Sequence, residues 1–275
     1  MYSPKEYWAG LSERYDSVDS SGLLPILHPE APLWFNEAID HIQFRALRRA
    51  VEIANLSPGA RFLDVGCGTG RWVRRYRELG FSPVGVDATL GMLRIARSHQ
   101  TACPLAAGLA YNLPFSNDAF DCISDITVVQ HIPYELQPEA LREMTRVLKP
   151  GGIMILLELI RGAGFHIFPR RPEDWIREAE SFGVTLIDCF GQEYFFPDRL
   201  FAGLTQTLFR RRGSQARGQV MSHDSSSKEN SLTRRLYWQM RRIIVPFSVL
   251  MEPVFVNILP ASAATHAIFV FRKKL

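Results

Sequence analysis

Arg61-Phe-Leu-Asp-Val-Gly-Cys-Gly-Thr-Gly70 is the stretch that decides the fold. A short apolar run, Phe62 to Val65, leads at once into three glycines at alternate positions. Trp72, Val73, Tyr76 and Leu79 follow at helical spacing and mark the buried face of the next helix. The pattern is a strand turning sharply into a helix. The turn is made of residues that accept positive φ and leave backbone N–H and C=O groups open to a ligand. In open parallel sheets, ligands sit at such turns beyond the carboxyl ends of the strands.

The flanking sequence continues the alternation that builds a parallel sheet. Pro83 to Val86 reads as a second strand, Thr89 to Ala96 as a helix, Pro104 to Ala107 as a weak third strand and Asp121 to Ser124 as a fourth. A helix with Leu136, Ala140, Leu141, Met144, Val147 and Leu148 turned inward ends at Lys149-Pro150-Gly151-Gly152, before the strand Ile153 to Leu159. Pro172, Glu173 and Asp174 open another helix that stops before Gly183. Val184 to Cys189 and Thr265 to Phe271 complete the strands. Upstream, the first fifty or so residues read as helical, with Ile42, Ala46, Leu47, Ala50, Val51 and Ala54 on one face and Ser57-Pro58-Gly59 as the stop.

The expected organisation is therefore an N-terminal helical cap or lid over 1–50, a core over 51–192, an insertion over 193–264 and a final core strand over 265–275. The insertion is far longer than a typical connection. Its basic middle, 213–231, is rich in Ser, Gln, Gly and Arg and is expected to be partly disordered.

Composition sets the class. The chain has 275 residues, 47% hydrophobic and 22% charged, enough to bury a core without disulfides or a structural metal. Cys67, Cys103, Cys122 and Cys189 show no C-x-x-C spacing, which argues against a zinc or disulfide framework and for a reducing, cytoplasmic setting; no metal site is expected. The charged start, Met1-Tyr2-Ser3-Pro4-Lys5-Glu6, is not that of a secretion signal. Arg210 to Arg242 holds nine basic residues and two acids, a local charge of +7 within a chain of +4. Ile243 to Pro260 is mostly apolar, but Pro246, Glu252, Pro253 and Asn257 argue against a transmembrane span. The expectation there is a helix on the core, with peripheral membrane contact through 234–260 as the alternative, helped by Tyr237 and Trp238.

Asp87 ends the second strand, 23 residues after Asp64, where a carboxylate can accept hydrogen bonds from both hydroxyls of a ribose. The glycines at 66, 68 and 70 do not make the G-x-G-x-x-G of a nicotinamide site, since position 71 is Arg, and no phosphate-cradling G-x-x-x-x-G-K-[ST] occurs.

Four stretches, Leu63-Asp-Val-Gly-Cys-Gly-Thr-Gly70, Val84-Gly-Val-Asp87, Leu113-Pro-Phe-Ser-Asn-Asp-Ala-Phe-Asp121 and Arg146-Val-Leu-Lys-Pro-Gly-Gly152, stand in family-like order and spacing. With them the chain resembles the class I S-adenosylmethionine-dependent methyltransferases over about residues 45 to 160, in particular the branch acting on small molecules and lipids. The resemblance implies a Rossmann-like α/β fold with a seven-stranded, mostly parallel sheet in the order 3-2-1-4-5-7-6 and an antiparallel last strand. It implies S-adenosyl-L-methionine as cofactor. Asp64 and the loop Gly66, Cys67, Gly68, Thr69 and Gly70 would lie at the methionine part, Asp87 at the ribose, and Ala88, Thr89 and Met92 beside the adenosine. Ala110 and Tyr111 would lie at the adenine edge and Asp125 and Ile126 at the sulfonium side. Many relatives place an acid where this chain has Leu109, so apolar packing or a backbone group would have to hold the adenine here.

His131 is the best candidate base, since an unperturbed imidazole titrates near pH 6.5; Glu158 and His166 are weaker ones. Tyr7, Trp8 and Tyr15, with Tyr194-Phe195-Phe196, could form an aromatic lid. The expected activity is in-line methyl transfer to a small-molecule or lipid-like acceptor, O-methylation preferred. The sequence after strand four, Ser124-Asp125-Ile126-Thr127, disfavours nucleobase amine methylation. A non-catalytic cofactor-binding scaffold, an RNA-directed methyltransferase and an oxidoreductase are the rival readings.

Overall fold

The computed structural model describes residues 2–15, 21–99, 102–162, 164–194 and 229–275. Two helices come first, α1 (Pro4–Tyr15) and α2 (Leu33–Ala54), so the N-terminal region is helical with a turn-rich break from 21 to 32. The alternating core follows: β1 (Arg61–Val65), α3 (Arg71–Glu78), β2 (Ser82–Asp87), α4 (Leu90–Ser98), β3 (Leu105–Ala107), β4 (Phe120–Ile126), α5 (Gln137–Val147), β5 (Leu148–Leu159), α6 (Pro172–Ser181) and β6 (Val184–Gln192). A 30-residue helix, α7 (Glu229–Ile258), and β7 (His266–Lys273) close the described chain.

The seven strands form one sheet in the order β3-β2-β1-β4-β5-β7-β6. All neighbouring pairs are parallel except that β7 runs antiparallel between β5 and β6. The expected Rossmann-like sheet is the one observed. Both faces of a parallel sheet are covered by helices, so its strands must be apolar on both sides. Leu63, Met154, Leu156, Phe269 and Phe271 pack with α5 and α6 on one face. Phe62, Ile153, Ile155, Ile268 and Val270 pack with α2 and α3 on the other. The two-residue alternation of side chains along a strand sorts them.

Two of the motifs meet in space. The Arg146 guanidinium forks onto Glu143 at 2.7 and 2.8 Å and donates to the carbonyls of Leu113 and Phe115 at 3.1 and 2.8 Å. Glu143 also accepts the Leu113 N–H at 2.9 Å. Arginine is required for this role, because only a planar fork serves a carboxylate and two carbonyls together.

The packing corrects several expectations. Leu79 caps the C-terminus of α3 and Leu136 the N-terminus of α5, and both are exposed, since a cap residue is only half within the helix and need not follow its buried face. α2 ends on Asn55, in the left-handed conformation that closes a helix, two residues before Ser57-Pro58-Gly59. Among the described residues no helix is long and apolar enough to cross a membrane. The expected disorder over 213–231 falls almost wholly outside the described residues, as do Phe195 and Phe196.

Candidate functional site

β1 ends at Val65 and the chain turns through Gly66, Gly68 and Gly70, all at positive φ. A Cβ on Gly66 would meet Val128 Cγ2 at 2.4 Å, and one on Gly68 would meet Ile26 Cγ2 at 2.9 Å, so both the backbone conformation and the neighbours demand glycine. At the end of the adjacent β2, Asp87 grips this loop. Its Oδ2 accepts the Gly68 N–H at 2.9 Å and its Oδ1 accepts the Thr89 N–H at 2.8 Å. Each oxygen keeps a lone pair, and the side chain is partly exposed. Burial raises the Asp87 pKa, while the Thr89 and Gly68 N–H groups pull it back.

A cleft of about 970 Å³, mouth included, opens above these strand ends. Of the residues singled out in the sequence, Gly66, Cys67, Gly68, Asp87, Ala88, Thr89, Met92, Ala110, Tyr111, Ile126 and His131 line it. Asp64, Thr69, Gly70 and Asp125 do not. Thr69 is buried and donates to the Gly22 carbonyl at 2.9 Å, which ties the glycine loop to the segment before α2. Thr127 and Val128 line the cleft without having been foreseen, and Thr127 holds φ near 60°, a conformation uncommon for a non-glycine residue and concentrated at functional sites. Lys5, Trp8 and Ile26 cover it from the N-terminal region.

Asp64 supports the loop from behind. Its Oδ1 accepts the Ser124 hydroxyl at 3.0 Å across the β1–β4 ladder, and its Oδ2 has no partner. Burial pushes its pKa up to about 7. A carboxyl raised in the folded state binds more protons there than in the unfolded chain, so its stabilising contribution is present below its ordinary value near 3.8 and is lost as pH rises toward 7. Asp64→Asn keeps an acceptor for Ser124 and removes the titration. Its melting temperature relative to the wild type is expected to climb between about pH 4 and 7 and to level off above. A difference independent of pH in thermal scans would contradict this.

Beyond β4 the chain makes a 3-10 turn, Val129–His131, held by Glu158. One Glu158 oxygen accepts the Val128 and Val129 N–H groups at 3.2 and 3.0 Å, and the other accepts the Gln130 N–H at 2.8 Å. Glu158 and Asp125 are both fully buried, and burial raises both, Asp125 to about 7. Glu158 is thus a clamp on the backbone and does not line the cleft.

His131 has its tautomer set by its neighbours. The Leu159 N–H donates to Gln130 Oε1 at 2.7 Å, so the Gln130 amide nitrogen is the atom 3.3 Å from His131 Nε2. His131 Nδ1 lies 3.0 Å from the His166 carbonyl, which can only accept. The neutral form with hydrogen on Nδ1 satisfies both contacts, an assignment made from the network. Burial lowers the His131 pKa to about 4, against the His166 carbonyl bond, which raises it. His166 stacks on His131 at 5.3 Å and 4°, Tyr7 stacks on His166 at 4.6 Å, and Trp8 meets the His131 ring edge-on at 5.1 Å. Of the aromatic residues proposed for a lid, Trp8 lines the cleft, whereas Tyr7 stands behind it on His166. Tyr15 donates instead to the Pro29 carbonyl at 3.0 Å, and Tyr194 is buried against α7; neither lines the cleft.

Residues 63–156 match the family model described as a methyltransferase domain. The chain is 34% identical over 124 residues to a demethylmenaquinone methyltransferase from Renibacterium salmoninarum, a match covering 45% of this chain and 52% of that one. It is 36% identical over 115 residues to a malonyl-[acyl-carrier protein] O-methyltransferase from Serratia marcescens, covering 42% and 44%. The match thus spans about half the length of these curated relatives. In fold it resembles the [4+2]-cyclase SpnF, with a TM-score of 0.53, 22% identity and coverage of 84% and 80%. It also resembles phosphoethanolamine N-methyltransferase 2 of Haemonchus contortus in complex with S-adenosyl-L-methionine, with a TM-score of 0.52, 18% identity and coverage of 84% and 52%.

Proposed function

We propose that the protein is a class I S-adenosylmethionine-dependent methyltransferase that transfers a methyl group to an acidic oxygen of a small-molecule or lipid-like acceptor, a reading supported by the methyltransferase-domain match over residues 63–156. The observation that carries the reading is the Asp87 carboxylate, pinned by two N–H groups and facing an otherwise mainly apolar cleft at the strand ends.

The residues present fit the cofactor. Asp87 retains a free lone pair on each oxygen for ribose hydroxyls. The glycine loop brings backbone free of side chains to the cleft for the methionine part, and Ala88, Met92, Leu109 and Tyr111 make an apolar wall suited to a flat base. Bound there, S-adenosylmethionine supplies a methyl group on an activated sulfonium. The acceptor side falls to Trp8, Ile26, Thr127, Val128 and His131.

The state of His131 bears on the acceptor. Both its ring nitrogens are engaged and burial disfavours its protonation, so it suits orienting an acceptor better than taking a proton at neutral pH. An oxygen already ionised needs no base, only placement on the line of transfer. Lys5, at the cleft, gives such an anion a counter-charge. The named activities of the curated relatives, on demethylmenaquinone and on a malonyl carrier protein, support a small or lipid-like acceptor. All four cysteines are free, in keeping with a cytoplasmic setting.

Labelled S-adenosylmethionine incubated with the protein and a lipid extract tests the reading. Label should enter a base-labile, ester-like product. Trp8→Ala should slow transfer by about tenfold, as loss of acceptor positioning does, and Tyr15→Phe should leave it unchanged. Transfer to an alkali-stable amine or carbon would refute oxygen as the target, and no transfer at all would favour a binding scaffold.

A further inference from the structure

α7 has two sides, and only one of them packs against the described residues. Val245, Ser248 and Glu252, at helical spacing, are buried. The helix is anchored there: Glu252 accepts the Glu193 N–H at 2.6 Å and the Tyr194 N–H at 3.2 Å. On the opposite side Ile243, Phe247, Leu250, Val254 and Ile258 recur at intervals of four, three, four and four residues. They are 79%, 55%, 72%, 43% and 73% exposed. A helix whose outer face were merely solvated would carry polar residues at those positions. Five large apolar side chains in one continuous line mark a surface that something covers.

The charges beside the line indicate what. Arg235 and Arg242 are exposed next to its N-terminal half, Tyr237 is 42% exposed, and Arg241 lies 4.7 Å over the Tyr237 ring. Among the described side chains of α7 the one acid is Glu252, turned inward. The sequence leading into the helix adds to this, as Arg210 to Arg242 carries +7. An apolar face flanked by arginines and aromatic rings, with no acid on it, is complementary to anionic headgroups above acyl chains. With Pro246 and Pro253 inside it and Glu252 on its inner face, the helix suits lying in the interface rather than spanning the bilayer.

We propose that α7 docks the protein on an anionic lipid bilayer, inserting Ile243, Phe247, Leu250, Val254 and Ile258 among the acyl chains while Arg235 and Arg242 meet the headgroups. This is independent of the methyl-transfer reading, because none of these residues lines the cleft.

Co-sedimentation of the full chain with vesicles of phosphatidylglycerol and phosphatidylcholine, against phosphatidylcholine alone, tests it. Binding to the anionic vesicles is expected, weakening with salt. The pair Ile243→Glu and Leu250→Glu should reduce it at least tenfold with an unchanged melting temperature. Arg235→Glu with Arg242→Glu should also weaken it. Absence of wild-type binding would overturn the proposal, as would a double variant that binds equally well. A large drop in melting temperature for Ile243→Glu and Leu250→Glu would show instead that the stripe is covered within the chain. A wild-type dimer, made monomeric by that pair and indifferent to vesicles, would assign the face to a second copy. Calorimetry with S-adenosylmethionine on the same variants should be unaffected in every case.

Discussion

Asp87→Ala is expected to weaken S-adenosylmethionine binding by 100-fold or more in titration calorimetry, with the fold retained by circular dichroism. The side chain does two things at once. Within the protein it accepts the Gly68 and Thr89 N–H groups at 2.9 and 2.8 Å and so shapes the glycine loop. Toward the ligand it offers the lone pairs left over. Hydrogen bonds to a charged group contribute roughly 1.5–3 kcal/mol each, so losing the ribose contacts and the order of the loop together exceeds the roughly 2.7 kcal/mol that a factor of 100 represents. Asp87→Asn, which keeps one acceptor, should fall between the two. If Asp87→Ala binds within threefold of the wild type, the ribose contact is wrongly placed and the assignment of the cleft fails with it.

The second large effect is on stability. Glu158→Ala removes the acceptors of the Val129 and Gln130 N–H groups, in a region where Val129 is fully buried and Gln130 nearly so, and leaves the Val128 N–H with Asp125 Oδ1 alone at 3.1 Å. An orphaned buried donor costs about 1–3 kcal/mol. Glu158 also hydrogen-bonds Asp125, which raises the Glu158 pKa and lowers that of Asp125, so the substitution takes away that contact as well. A net loss of about 3 kcal/mol is expected, seen in thermal unfolding as a drop of roughly 6–12 °C for a chain of this size. Because the turn also carries His131 and lays Val128 over Gly66, cofactor affinity should fall as well. A melting temperature within about 2 °C of the wild type would mean that water or a shifted backbone replaces Glu158.

Much of the architecture was legible from Arg61 to Gly70 and the alternation around it. The strand order, the cleft at the strand ends, and the participation of Gly66, Gly68, Asp87, Ala88, Thr89, Met92, Ala110 and Tyr111 all followed from local patterns and from resemblance. Of the aromatic residues singled out in the N-terminal segment, Trp8 lines the cleft and Tyr7 and Tyr15 do not. Glu158 has a different role from the one its residue type suggests. A lone carboxylate in a strand reads as a candidate base, and nothing within a few residues of it shows that three N–H groups some thirty positions earlier converge on it. The same holds for His131. Its type suggested a base, but its partners, Gln130, the Leu159 backbone and the His166 carbonyl, settle its tautomer, and burial disfavours its charged form.

The amino-acid sequence by itself determined the repeating strand-and-helix pattern, the glycine turn and the carboxylate placed after the second strand. Those features rest on sterics, periodicity and hydrogen bonds that act over a few residues. Only the tertiary structure decided which carboxyls support the backbone and which face the cleft, and which side of α7 is left uncovered. In the sequence the apolar residues of that helix look alike; Val245 and Leu250 differ only because β6 and α2 come to rest against one side of it. Such differences arise where distant segments meet, and the free energy of each side chain there depends on which atoms the folded chain brings to it.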